Sequence, residues 1–560
     1  NSGLSNYGNV NFGGRVDASF HNLTIDSGKT LTLGAGLNIS GGAFTGPGTL
    51  VVPNGQTLLS NGTYLGAAQI DNAGVVELGS GTGLGGVLNN SGTFRFNFAS
   101  GGLLPAGPAA VFNNTGLVEN VGTGSAVLQV PINSTNGTFK AGPNLILSGD
   151  ANTYSGLTKF SGDALTLVPF TGQGSGHTFQ GPVEIDAALV QLNGPPTFGF
   201  DFQGGGSITP RATVQQLGGT ATLNGVSNLG TVQNTSANPI TLTGTATHTG
   251  VFDAAGPTAT PIVFSGSQTL NGATLSGAGG FSGPVTIGSQ GATLTGVFDT
   301  STFTPTGTGL ITNTGQLTSN GYTFSGGIDN LGALNLTDST VSGPFANRGA
   351  LNVNGVVQLG GSTARLFDGD VTLTTGSTLQ RNTGPLVWEG GRIGGDISGI
   401  GSLNFGPGGS LLFGGSGDRI IDGVPLPALN NFTMPNGSLT LLSGALNLSG
   451  TTELPTGVSL NLEGGTLTNN GPMNIGGTFN VRGGAYAGTG ALNMTGGTLN
   501  MDASSTTAWN NTGPTTNTGT LNLGGQTFSN SFTNATGGTI NGGNSLTFTQ
   551  NFTNQGTFNV

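Results

Sequence analysis

A short phrase returns along this chain: Asn-x-Gly, then residues alternating apolar with polar. It reads NAGVVEL from Asn72, NSGTFRF from Asn90, NTGQLTS from Asn313, NLGALNL from Asn330 and NRGALNV from Asn347. It comes back as NNGPMNI from Asn469, NTGTLNL from Asn517 and NQGTFNV from Asn554. Neighbouring copies sit roughly 17 to 20 residues apart, or near multiples of that spacing, which is the span of one unit in a solenoid. A chain with such a period folds by stacking units on one another, so it escapes the usual division into domains by length.

The phrase from Asn517 gives the geometry of a unit. Leu521 and Leu523 alternate with Thr520 and Asn522, and period two places both leucines on one face of a strand. Gly519 and the asparagine before it read as a corner, since both residue types tolerate positive φ. Gly524 and Gly525 make the next corner, and Gln526-Thr527-Phe528 begins another strand. Strand, corner, strand, corner within one period describes a coil of a parallel β-helix. Glycine recurs too often for long α-helices. The corner asparagines Asn72, Asn90, Asn313, Asn330, Asn347, Asn469, Asn517 and Asn554 are expected to stack in register as amide ladders.

Composition narrows the function. The 560 residues include 109 glycines and 25 prolines, yet the regular apolar alternation and 31 phenylalanines argue for a packed core over disorder. Twelve Lys and Arg, with a net charge of −11, supply no basic stripe for nucleic acid. With no cysteine, neither disulfides nor thiolate metal sites can form. No apolar run is long enough to span a membrane as a helix. The chain starts and stops in repeat-like sequence, so residues 1–560 read as one continuous array belonging to a longer polypeptide. Within it, residues 168–217 read as an irregular, loop-rich interruption.

Candidate chemistry is sparse. Asp368 and Asp370, in RLFDGDV, would share one strand face as a cation site; a polar turn is the plainer reading. Glu184 and Asp186 have the same spacing. His21, His177 and His248 are too scattered to be metal ligands. GGSGDRI from Gly414 places its Asp one position early for a calcium-binding repeat. Trp388, directly before a Gly-Gly corner, is a candidate sugar platform, with core packing as the alternative. No cofactor and no catalytic set is expected.

Together with GGAFTGPGTL from Gly41 and GGAYAGTGALNM from Gly483, the Asn-x-Gly phrases resemble the filamentous-haemagglutinin-like and autotransporter-passenger repeats of bacterial cell-surface proteins. The resemblance covers roughly Leu23 to Val560. It implies a right-handed parallel β-helix, export to the cell surface, and an adhesive or matrix role. The expected function is that of a non-enzymatic extracellular rod that associates with itself, end to end or laterally, or with host glycans or proteins. The rival is a β-helix that binds or degrades polysaccharide, with its site in 168–217.

Overall fold

The computed structural model describes residues 4–6, 10–12, 16–19, 22–149, 151–169, 176–255, 261–278, 280–395, 402–414, 416–424, 426, 428–430, 432–502, 508–543 and 545–559. His21 and Gly415 of GGSGDRI lie outside this set. Among the described residues every regular element is a β-strand, and every assigned strand pairing is parallel. The fold is a β-solenoid. It divides into two compact units, Asn1–Gly288 with Thr302–Thr304, and Ser289–Ser301 with Pro305–Val560.

One coil of the first unit shows how the sequence makes the fold. Strands Gln69–Asn72, Val75–Leu78 and Thr82–Leu84 follow one another around three faces, and Val87–Asn90 returns above the first. Burial alternates along each, so Ile70, Asn72, Val76, Leu78 and Leu84 point inward. A coil alone leaves these side chains wet and its ladder unmade, so burial and hydrogen bonding both come from the neighbours. Ile70 stacks under Leu88 and Leu88 under Phe112. Phe94 meets Phe112 edge to face at 5.1 Å.

The second unit repeats the plan. Its longest sheet carries 14 parallel strands. Leu334 lies between Leu317 and Leu351, and Leu521 between Leu499 and Ile540.

Coil length varies more than the repeat phrase suggests. Equivalent residues are 17 apart at Asn313 and Asn330, 18 at Asn72 and Asn90, and 24 at Asn90 and Asn114. The additional residues sit at corners, where they leave the strand register intact. Residues 176–216 carry strands in register with both neighbours. The 10-residue strand Val183–Leu192 pairs with Thr158–Val168 before it and with Thr213–Gln216 after it.

The glycine of Asn-x-Gly serves another purpose than the one expected. Gly519 does not take positive φ. A Cβ there would lie 2.1 Å from the carbonyl oxygen of Gly497, one coil back. Gly332 stands in the same relation to Gly315, and Gly349 to Gly332, each at 2.1 Å. The chain turns so tightly that successive backbones touch, and only hydrogen fits between them. The asparagine, likewise, is the last residue of a strand with its side chain turned inward, as at Asn72 and Asn330.

Candidate functional site

The inward asparagines form hydrogen-bonded columns. Asn72 Nδ2 donates to Asn90 Oδ1 at 2.6 Å, and Asn90 Nδ2 to Asn114 Oδ1 at 2.8 Å. In the second unit Asn313 donates to Asn330 and Asn330 to Asn347, both at 2.7 Å. Near the C-terminal end Asn517 donates to Asn534 at 2.9 Å and Asn534 to Asn554 at 2.7 Å. The second amide hydrogen closes the corner, as from Asn330 to the Ala350 carbonyl at 2.9 Å. Asn554 is exposed, whereas the other seven predicted corner asparagines are at least 98% buried.

Each column begins where an aliphatic residue precedes it. Val52 lies below Asn72 and Leu294 below Asn313. The Oδ1 atoms of Asn72 and Asn313 are accordingly buried without a partner. Asn469 sits in a column broken by Gly488, which lies above it and below Asn511. The Tyr486 hydroxyl fills the missing step, accepting from Asn469 Nδ2 at 3.2 Å and Asn511 Nδ2 at 3.3 Å. Burial pushes this phenol far above its ordinary pKa, so it remains protonated.

A second set of ladders faces outward. In the second unit Asn461, Asn480, Asn500, Asn522, Asn541 and Asn559 each donate to the coil before, starting on Thr440 Oγ1 at 3.0 Å. Beside them runs a file of hydroxyls, Ser459, Thr478, Thr498, Thr520, Thr539 and Thr557, in register. The file itself holds no charged side chain and is regular, and the Arg482–Glu463 ion pair flanks it. In the first unit a shorter ladder runs from Asn133 through Asn113 and Asn89 to Asp71. It lines a groove of about 370 Å³ with Ser91 and Thr115.

The candidate ligand residues are placed differently from the binding reading. Trp388 is fully buried and donates from Nε1 to the Gly390 carbonyl at 2.8 Å, so it is a core residue with no face for a sugar. Asp368 and Asp370 are exposed on a turn between strands, on either side of a buried glycine. They do not share a strand face, and Arg365 reaches Glu389 on the next coil at 3.0 Å. Glu184 and Asp186 do share an outward face, where each is paired, with Lys159 and Arg211. Asp418 accepts from Ser438 at 2.6 Å. Among the described residues no three His, Asp or Glu side chains gather as metal ligands.

The buried histidines are structural. His248 Nδ1 accepts from the Asn228 backbone N–H at 3.1 Å, so its Nε2–H donates to Gln268 Oε1 at 2.8 Å. His177 is enclosed by Tyr154, Phe198 and Phe200, with the Tyr154 hydroxyl 3.1 Å from Nδ1. Desolvation lowers both pKa values, that of His177 to about 4.

Most cations are neutralised within their own sheets. Arg95 bridges Glu77 and Glu119, at 3.3 and 2.7 Å, and Lys140 adds a weaker contact to Glu119 at 3.9 Å. The expected ladders of corner asparagines carried no inward direction in the sequence. A presented ladder of Asn, Thr and Ser was expected without its residues, which the middle position of each Leu-Asn-Leu or similar triplet marks.

In comparisons with known proteins, 196 residues, 34% of this chain, are 29% identical to the adhesin BmaC autotransporter of Brucella suis biovar 1 (strain 1330). The chain spans about 5% of that protein's length. No family model and no solved structure matches. The weak similarity and the β-solenoid together fit a β-helix of the autotransporter-passenger type.

Proposed function

We propose that this chain is part of an extracellular, cell-surface adhesive rod and acts without catalysis. The observation that carries this reading is the outward file from Thr440 to Asn559. Each inner amide there spends one N–H and one acceptor position on its neighbours, leaving one N–H and one lone pair toward solvent at every coil. Successive coils are about 4.8 Å apart, so the face offers many weak, equally spaced contacts. Such a surface gains strength by multivalency, which suits adhesion to proteins or glycans. The similarity to an adhesin supports the same reading. Association with further copies, laterally or end to end, belongs to the same reading, since an unpaired strand edge of a parallel solenoid is a template for another strand.

Beads coated with the full chain should adhere to cultured host cells, and the triple change Asn480→Asp, Asn500→Asp, Asn522→Asp should reduce adhesion several-fold. Adhesion no better than albumin-coated beads would refute the proposal. A second reading, polysaccharide binding, draws on the groove beside Asp71, Asn89 and Asn113. A glycan array separates the two: saturable binding there, abolished by Asn89→Leu, would favour it.

A further inference from the structure

Among the described residues of the second unit, the ladder is interrupted between Ser402–Phe413 and Leu429–Asn430. The 12-residue strand Ser402–Phe413 pairs along one edge with Thr378–Trp388. Leu429–Asn430, a coil later, pairs with Ala445–Ser449. Among the described residues no strand pairing joins the two. On the adjoining face the stack is unbroken, with Asp418–Asp422 held between Gly391–Gly395 and Ser438–Leu441. The coils are therefore closed on one side and parted on the other. Inside, Phe413 still meets Phe432 at 4.7 Å. Outside, a groove of about 580 Å³ opens between Ser410–Phe413 and the backbone at Leu429.

The free edge has a readable chemistry. The Gly414 N–H donates back to the Trp388 carbonyl. Backbone groups alternate in direction along a strand, so the N–H and C=O of Leu411 and Phe413 point into the groove. Its walls also present Phe405, Leu411, Leu412 and Phe432, and Leu412 is 50% exposed. A lipid or another purely apolar occupant would leave the backbone groups unpaired at a cost. A glycan would leave the apolar walls unfilled. An extended polypeptide answers both, with a main-chain ladder and alternate side chains turned inward.

We propose that this groove is a strand-addition site for an extended peptide segment of a partner protein, bearing apolar residues at alternate positions. The fit is to backbone first and side chain second, so recognition tolerates sequence changes that preserve the alternation.

The test uses the full chain and a capped synthetic peptide copying residues 444–450 of this sequence, GALNLSG. Hydrogen exchange of the Leu411 and Phe413 amides should be fast in the free protein and slow at least ten-fold when the peptide is added. A version N-methylated at alternate residues should give no protection. Two results would overturn the proposal: free-protein exchange as slow as at the paired residues Leu386 and Trp388, or equal protection by the N-methylated peptide.

Discussion

The side-chain nitrogen of Asn330 lies 2.7 Å from the side-chain oxygen of Asn347, one coil further on, and the same asparagine accepts from Asn313. Asn330 is thus the middle step of a dry amide column, and its replacement tests what the column contributes. Asn330→Ala removes the donor to Asn347 and leaves the Asn313 amide without its acceptor. Each orphaned buried group costs about 1–3 kcal/mol. We expect a loss of roughly 2–4 kcal/mol in local stability, read as faster hydrogen exchange across 328–337. The outward Asn480→Ala should cost under about 0.5 kcal/mol. Equal effects at the two positions would dismiss the column as a source of stability.

Gly332 separates steric need from backbone freedom. Its hydrogen faces the Gly315 carbonyl, where a Cβ would stand at 2.1 Å. Gly321 has positive φ, at 63°, and open space around its Cβ position. Gly332→Ala should therefore cost at least about 2 kcal/mol through displacement of a packed backbone. Gly321→Ala should cost about 1 kcal/mol through its left-handed conformation. Asparagine should be tolerated at 321 and rejected at 332, as thermal melting of the four variants would report.

Tyr486→Phe should cost roughly 1–3 kcal/mol, because the hydroxyl receives amide hydrogens from both Asn469 and Asn511. Gly488→Asn should not restore the column. A Cβ at 488 would fall 1.9 Å from the Asn469 carbonyl. A melting point for the double variant at or above that of Tyr486→Phe would contradict this account.

Acid should weaken the first unit through its histidines. His177 titrates near 4 in the folded chain, against about 6.5 when exposed. Between those values the unfolded chain binds more protons, so stability is full above pH 6.5 and falls as pH drops toward 4. The difference corresponds to roughly 3 kcal/mol for His177, and His248 shifts in the same direction. His177→Phe should be less stable at neutral pH, where Tyr154 loses a partner, yet show a shallower decline on acidification. An unchanged slope would assign the acid response elsewhere.

The architecture was legible because strands and corners here are written in local residue types. The alternation at Leu521 and Leu523 specifies an inward face, and Asn spacing specifies the stack. The role of Gly519 was not legible in the same way: positive φ and close contact both call for glycine, and only the neighbouring coil tells them apart. Trp388 before its corner looks alike whether it turns in or out. Tyr486 acts two residues away from the step it completes, and the need for it arises from Gly488. The parted coils at Ser402–Phe413 depend on corner length, which sequence period averages away. The outward asparagines hold the polar position of each apolar alternation, but which of them align is set only by the register between coils.

The inward and outward columns run in opposite senses. Donors point toward later coils from Asn313 to Asn347 and toward earlier coils from Asn559 to Asn461. The aligned amide dipoles of one column thus offset those of the other. Both patterns survive the loss of a coil from the middle of a column, since Asn313 would then meet Asn347 as it now meets Asn330. Removing half a coil would bring Asn330 opposite an aliphatic neighbour and turn leucines outward. Change in such a chain is therefore quantised: reach can lengthen or shorten in steps of one coil, and intermediate lengths are disfavoured.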